Sequence, residues 1–291
     1  MDYSGFPLST RYYSGSERKI GIVIDDEQWI LKFQYKDELK YRFNHVSEHI
    51  GSRIFNSIGI PAQMTELGTY GGEEVVACRN FIPYGCMFVP FNDVGERTLE
   101  RDKDAFQYSY DDVMSMLSAN RKLTDQDSTI DFFWDMYIVD ALLGNFDRHG
   151  SNWGFIKNNN GYSIAPVFDN GSCLYPQMID EDMMQKIIDS PELTEDRVYR
   201  FPTSQIQVSG KKSSYHDVIS SMRFDECNDA LRRVFPRIRM DNIFGIVDSV
   251  ESISDIHKEF YKHMLSSRYE LILSDTYRSL ERCYPTRHRH P

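Results

Sequence analysis

The chain has 291 residues, of which 41% are apolar and 13% aromatic, a globular composition with room for one large domain or two lobes. Its formal charge of −11 argues against a duplex-binding surface, and the one basic cluster, the tail "TRHRHP", reads as a solvated terminus. Five scattered cysteines, never spaced C-x-x-C, argue against a disulfide framework or zinc ribbon and suit a reducing compartment.

The N-terminus "MDYSGFPLSTRYYSG" is polar and has no apolar h-region. The richest apolar run, "FFWDMYIVDALLG", is broken by Asp135 and Asp140 and is too short to span a bilayer. The expectation is a soluble cytoplasmic protein without a membrane or nucleic-acid partner.

"YYSGSERKIGIVI" is a polar turn with a glycine that runs into a strand, a place to lay backbone N–H groups on phosphates. "KIGIVIDDEQWILKFQ" predicts two strands turning at Asp25-Asp26. Lys32 falls inside the second strand, where a point charge is costly unless a phosphate or carboxylate meets it. The plainer alternative is an edge-strand lysine reaching to solvent. "SEHIGSRIFNSIGIP" predicts a helix capped by Ser47, with Ile50, Ile54 and Ile58 on one face and Gly59 and Pro61 ending it. Glu48 opens that helix, either as a partner for Lys32 or as an ordinary first-turn Glu favoured by the helix dipole. "MTELGTYGGEEVVACRNFIP" predicts a second hairpin turning at Gly71-Gly72.

From about residue 84 the character changes. Residues 92–128 are polar, with a helix expected at "YDDVMSMLSAN". In "STIDFFWDMYIVDALLGN" an apolar stripe of Phe132, Met136, Val139 and Leu143, ended by Gly144, predicts a long amphipathic helix. After residue 210, "SYHDVISSM", "DECNDALRRVF" and "SISDIHKEFYKHMLSSRYELILSDTYRSLERC" all read as helices. The outline is an α+β protein with a small β-rich front end, a larger helical rear and a site between them.

Two short stretches carry the chemistry. In "GNFDRHGSNWGF", Asp147 is followed by Asn152; in "APVFDNGSCLY", Asp169 follows after what reads as a hairpin that returns it beside Asn152. An Asn carbonyl and an Asp carboxylate are hard oxygen ligands suited to Mg²⁺, and Asp147 is left to orient or deprotonate a hydroxyl. Base, metal-holding Asn and metal-holding Asp are the parts of phosphoryl transfer. The alternative is a polar turn after a buried helix, with Asp and Asn as caps. His149 either bonds Asp147 or a phosphate, or locks the loop; Arg148 reads as a loop brace.

In order and spacing, "SGSERKIGIVIDDEQWILKF", "VSEHIGSRIFNSIGIP", "GNFDRHGSNWGF" and "PVFDNG" resemble the HipA-like serine/threonine kinases, in particular their compact CtkA-type branch. The D-R-H-x-x-N core is shared with phosphoinositide-3-kinases. The resemblance implies a bilobal protein-kinase-like fold, with a front lobe over residues 1–82 and a helical rear lobe over 83–291. It implies ATP and Mg²⁺ as cofactors, Asp147 as the catalytic Asp, and Asn152 and Asp169 as metal ligands. Lys32 would meet the ATP phosphates, with Glu48 as its helix partner. Ser14, Gly15 and Ser16 would form the phosphate loop, and Arg79, Asn80, Phe81 and Ile82 the hinge that reads adenine. Ser14 falls where relatives carry a serine phosphorylated by the kinase itself. The expected partner is a protein substrate, including the chain itself. The family's toxins often carry an N-terminal subdomain that this chain lacks, so an antitoxin-like partner is not supported by the sequence.

Other readings use fewer of these residues. "HVSEH" matches the zinc motif H-x-x-E-H through His45, Glu48 and His49, yet explains nothing else in the chain. A lipid kinase would need basic residues near Asp169, whereas "NGSCLYPQMIDEDMMQKIIDSPELTED" has Lys186 as its only basic residue. A small-molecule phosphotransferase or an inactive ATP-binding pseudokinase completes the alternatives.

Overall fold

The computed structural model describes residues 1–10, 18–37, 40–95, 108–118, 125–208 and 210–283. Strands β1 (Lys19–Ile24) and β2 (Glu27–Phe33) form an antiparallel hairpin turning at Asp25 and Asp26, whose φ values are 48° and 63°. Two successive left-handed residues give the turn a twist that matches the flanking strands, and the short Asp side chain tolerates them. A two-residue ladder, β3 (Lys36–Asp37) with β4 (Lys40–Tyr41), leads into helix α1 (Asn44–Ser57).

Helix α1 begins ahead of its predicted cap. Phe43 occupies the cap position without a side-chain bond, and Ser47 is fully buried inside the helix. Glu48 accordingly lies beyond the opening turn. Tertiary bonds fix the start instead: the Asn44 side chain accepts from the Tyr35 N–H at 2.9 Å and donates to the Phe33 carbonyl at 3.3 Å.

Strands β5 (Thr65–Tyr70) and β6 (Glu73–Arg79) form the second expected hairpin, turning at Gly71-Gly72. The sheet order is β1-β2-β6-β5, so β2 is interior and Lys32 is not on an edge strand. Alternation along β2 sends Trp29, Leu31 and Phe33 to one face, into a small core with Ile22, Val75 and Ala77. The N-terminal segment covers that core with the wholly buried Tyr3, bridging Asp2 to Thr69 and Leu8 to Ile22. Lys32 points to the opposite face, where it meets α1.

Next come β7 (Met87–Pro90), α2 (Phe91–Gly95), β8 (Tyr108–Ser109), α3 (Tyr110–Ser118) and α4 (Gln126–Leu143). The Asp125 side chain caps α4 by accepting from the Ser128 N–H, and Gly144 ends it with a φ of 64°. The expected stripe is too narrow: Phe132 is only partly buried, while every residue from Met136 to Leu143 is buried. The second half of α4 is surrounded by other elements and has no polar face, while its first half exposes Asp127, Ser128 and Asp131.

Strands β9 (Gly154–Asn158) and β10 (Gly161–Ile164) form the hairpin expected between Asn152 and Asp169, with β7 flanking β9. Beyond it lie α5 (Glu181–Asp189), α6 (Pro191–Tyr199), β11 (Thr203–Val208) and β12 (Lys211–Ser214), none of which the sequence reading anticipated. Helices α7 (Tyr215–Ser220), α8 (Asp225–Val234), α9 (Met240–Asp248), α10 (Asp255–Arg268) and α11 (Asp275–Cys283) follow. A π-helical turn at Tyr269–Ser274 interrupts the single long helix expected there. The larger core joins Val46, Ile50 and Ile54 of α1 to α4 and α7 through α11. Among the described residues no helix is long and apolar enough to cross a membrane.

Two glycines test this packing in opposite directions. A Cβ on Gly144 would lie 3.3 Å from Pro202 Cγ and 3.4 Å from Arg268 Nε, at a left-handed φ. Gly144→Ala should destabilise by about 1–2 kcal/mol from backbone strain alone. Gly245 lies exposed within α9 with nothing within 4 Å of its Cβ position, so Gly245→Ala should stabilise by about 0.5–1 kcal/mol. Urea denaturation of both variants checks the pair.

Candidate active site

The Lys32 ammonium lies 3.2 Å from Glu48 Oε2 and 3.0 Å from Asp169 Oδ1, with only 12% of its side chain exposed. Burial alone would lower its pKa, but the two carboxylates outweigh that and hold it well above the ordinary lysine value. Glu48 is anchored in α1, and its other oxygen accepts the Asp169 N–H at 3.1 Å. That bond fixes a strained residue, since Asp169 has a φ of 59°. The Lys32 charge holds the Asp169 carboxyl below its usual range.

Asp169 sits in a loop tied by Arg148 to the loop that carries Asp147. The buried Arg148 guanidinium meets Asp140 of α4 through Nε at 2.9 Å and Nη2 at 3.1 Å. It also donates to the Asn152 carbonyl at 3.0 Å, to the Phe168 carbonyl and to Asn170 Oδ1. Asn170 in turn donates to Ser52 Oγ of α1 at 2.9 Å. The approach is close: a Cβ on Gly51 would lie 2.8 Å from Asn170 Cβ, so that helix position requires glycine.

Asp147 follows α4 by a turn that Asn145 shapes. The Asn145 amide donates to Asp140 Oδ1 at 2.9 Å, while its oxygen accepts the Asp147 N–H at 3.0 Å. Asn152 Nδ2 donates to the Asp147 carbonyl at 2.9 Å, which fixes the amide and turns its oxygen away from that bond. Desolvation raises the Asp147 carboxyl above its ordinary value; nearby His149 opposes the shift and the like charge of Asp169 adds to it. His149 Nδ1 accepts the Ser151 N–H at 3.2 Å, so the neutral ring carries its proton on Nε2, 3.8 Å from Asp147 Oδ1.

The remaining nominated residues behave differently. Ser14, Gly15 and Ser16 lie outside the described residues. The Arg79 guanidinium pairs with Glu27, and its N–H donates to the Met64 carbonyl at 2.9 Å. Asn80 donates its N–H to Gln28 and caps the Ile82 N–H with its side chain. Phe81 stands with Phe88 and Phe168 in an aromatic cluster whose ring centroids are 5.0–6.2 Å apart. The H-x-x-E-H residues diverge: His45 pairs with Glu74, His49 with Thr65 and Glu48 with Lys32. Among the described residues no three His, Cys, Asp or Glu side chains form a metal-holding group.

Sequence reasoning missed Asp140, Asn145, Asn170 and Ser52, although a carboxylate inside an apolar helix is itself a signal, because a buried charge needs a partner. Asp140→Ala should leave the Arg148 guanidinium buried and unpaired, lowering stability in denaturant titration by about 3–5 kcal/mol. A second expectation concerns pH. Burial lowers His49 and His257 from 6.5 to about 4, so both stay neutral in the fold. The unfolded chain takes up these protons first, so stability should be intact above pH 6.5 and fall as pH drops toward about 4. Denaturation midpoints between those limits should decline less steeply in a His49→Gln/His257→Gln variant.

The HipA-like C-terminal domain family matches residues 12–225. A curated relative, the serine/threonine-protein kinase CtkA of Helicobacter pylori strain J99, is 37% identical over 262 residues, covering 88% of this chain and 80% of its own length. The crystal structure of a Helicobacter pylori proinflammatory kinase CtkA superposes with a TM-score of 0.92 at 33% identity, covering 98% of each chain. The HipA–HipB–operator DNA complex of Shewanella oneidensis MR-1 shares the fold at a TM-score of 0.56 and 16% identity, covering 95% of this chain and 68% of that one. Small sheet region, helical region, family match and 37% identity agree: the chain belongs to the HipA-like C-terminal domain family.

Proposed function

We propose that the chain is a serine/threonine protein kinase that transfers the γ-phosphoryl group of Mg·ATP to a protein acceptor and to its own Ser14. The observation that carries this reading is the buried Lys32 ammonium, reaching from the front sheet to Glu48 and to the Asp169 loop that Arg148 ties to Asp147. A kinase site needs that arrangement: a fixed cation for phosphates beside oxygen ligands and a base. The nucleotide would lie between residues 1–82 and 83–291, with adenine at the Arg79–Ile82 segment.

The donor set fits Mg²⁺. The Asn152 amide oxygen and the Asp169 carboxylate are hard ligands from two loops, and few protein ligands suit an ion that keeps waters and borrows phosphate oxygens. Bound Mg²⁺ would neutralise charge on the transferring phosphoryl group. Lys32 would position phosphates, with Glu48 holding its ammonium in place, and Asp169 would supply carboxylate oxygen to the ion. Asp147 accepts the acceptor hydroxyl proton; its raised pKa makes it a better base than an ordinary carboxylate. His149 lies beside that carboxylate, its Nε2 3.8 Å from Asp147 Oδ1 and outside hydrogen-bond range.

The relative's name specifies serine and threonine. A phosphoinositide acceptor is disfavoured because the segment after Asp169 is acidic and would repel an anionic headgroup.

Incubation with γ-labelled ATP, Mg²⁺ and protein acceptors should label protein and map to serine or threonine, including Ser14. Asp147→Ala should cut transfer by about 10²–10⁴-fold, yet keep the stabilisation of about 2.7 kcal/mol expected with Mg·ATP at a hundred times its dissociation constant. Asp169→Asn should lose activity and Mg²⁺ dependence together. Unchanged transfer in Asp147→Ala would remove that residue from the mechanism.

A further inference from the structure

We propose that a groove beside the catalytic loop docks the acceptor, selecting a serine- or threonine-bearing segment with a bulky apolar side chain and net positive charge. The proposal rests on the kinase reading and adds the class of substrate to it. A cavity of about 440 Å³ has an apolar lining of Phe146, Tyr175, Pro176, Met178 and Phe201, with Asp196 and Arg197 both at its wall. Phe146 immediately precedes Asp147, so one wall of the cavity belongs to the same loop as that carboxylate.

Its lining is mainly apolar, and the chain segment that leads into Asp196 is rich in carboxylates. The Phe201 ring is 6.2 Å from those of Phe146 and Tyr175, and Phe201 is 48% exposed. A half-exposed aromatic ring in the wall of an apolar cavity offers contact area to a bulky apolar side chain. Residues 180–196, running through α5 and α6, hold seven carboxylates and one lysine. Arg200 pairs with Asp196 at 3.2 Å and Arg197 donates to the Leu193 carbonyl, so residues 180–200 together hold seven carboxylates against three cations. The excess of carboxylates attracts lysine and arginine and repels acidic segments.

The groove is built in advance. Leu174 and Tyr175 both have positive φ, 57° and 54°, an unfavourable backbone for two successive non-glycine residues. It is held by the Leu174 N–H on the Leu143 carbonyl at 2.9 Å and the Phe43 N–H on the Pro176 carbonyl at 2.8 Å. Tyr175 donates its hydroxyl to the carbonyls of Arg197 and Phe201, 3.0 and 3.3 Å away, tying the two walls together. Gln205 Nε2 donates to the Phe146 carbonyl at 3.0 Å and fixes the groove against the catalytic loop. A site formed this rigidly spends little binding energy on ordering itself.

The test uses synthetic serine peptides carrying either phenylalanine or glycine beside the serine, on a background of either lysine or glutamate. Binding to the full chain is read by fluorescence anisotropy, and transfer is read with labelled Mg·ATP. The lysine-phenylalanine peptide should bind about tenfold or more tightly than either single replacement. Phe201→Ala should abolish the phenylalanine preference while keeping the lysine preference and the Mg·ATP thermal shift. Glu192→Lys/Asp196→Lys should do the reverse. Equal weakening of all peptides by Phe201→Ala, no preference in the wild type, or no binding would overturn the proposal. The binding arm requires no chemistry, so selective binding without transfer would sink the kinase reading and leave the groove standing. Transfer to protein acceptors without peptide selectivity would do the opposite.

Discussion

The buried Arg148 guanidinium is the constraint on which the site depends. It spends its donors on the Asp140 carboxylate, the Asn152 and Phe168 carbonyls and the Asn170 side chain. Two loops with no regular hydrogen-bond ladder between them are thereby held at one separation. A buried ion pair adds little net stability, because desolvation offsets the attraction. Its contribution here is geometric: a planar fork fixes several acceptors at once, which a lysine ammonium cannot do. Asp140 can serve as the anchor because the second half of α4 is buried on all sides, so the carboxylate it carries is as immobile as the helix.

From that anchor the site extends forward through α1. Although α1 lies between two hairpins in sequence, its Val46, Ile50 and Ile54 belong to the larger core, and its Ser52 holds Asn170. Glu48 therefore takes its position from the rear of the molecule, while Lys32 comes from an interior strand of the front sheet. The ammonium joins two separately built structures. Its burial makes the contact specific, since neither carboxylate is replaced by water without leaving a charge uncompensated.

The sequence made the hairpins legible because Asp25-Asp26 and Gly71-Gly72 are turn residues whose conformational tolerance is local. It also made Lys32, Asp147, Asn152 and Asp169 conspicuous, since charge and amide groups beside apolar runs demand partners. What it could not give was the identity of those partners. The Arg148–Asp140 pair spans a helix end, and the bond from Asn44 that displaces Ser47 from the cap exists only after β2 has docked. Tyr3 reads as part of a polar leader until the exposed face of the sheet is known to need cover. Helices α5 and α6 escaped notice because they are dominated by surface carboxylates and present only short apolar faces, such as Met184 and Ile187.

Neighbouring residues in the loop after α4 face opposite demands, and the loop conformation satisfies both. Arg148 is buried and saturated, whereas the Asp147 side chain is 47% exposed. A proposed base must meet an acceptor that arrives from solvent, so it cannot be sealed in; it also cannot wander, or its proton-accepting oxygen would seldom face the hydroxyl. Asn145 resolves the conflict by holding the Asp147 backbone from below while bonding Asp140, and Asn152 holds the following carbonyl. The side chain is left free at the surface of an otherwise fixed turn. The same carboxylate that neutralises Arg148 thus sets, through the Asn145 amide, where the Asp147 backbone lies.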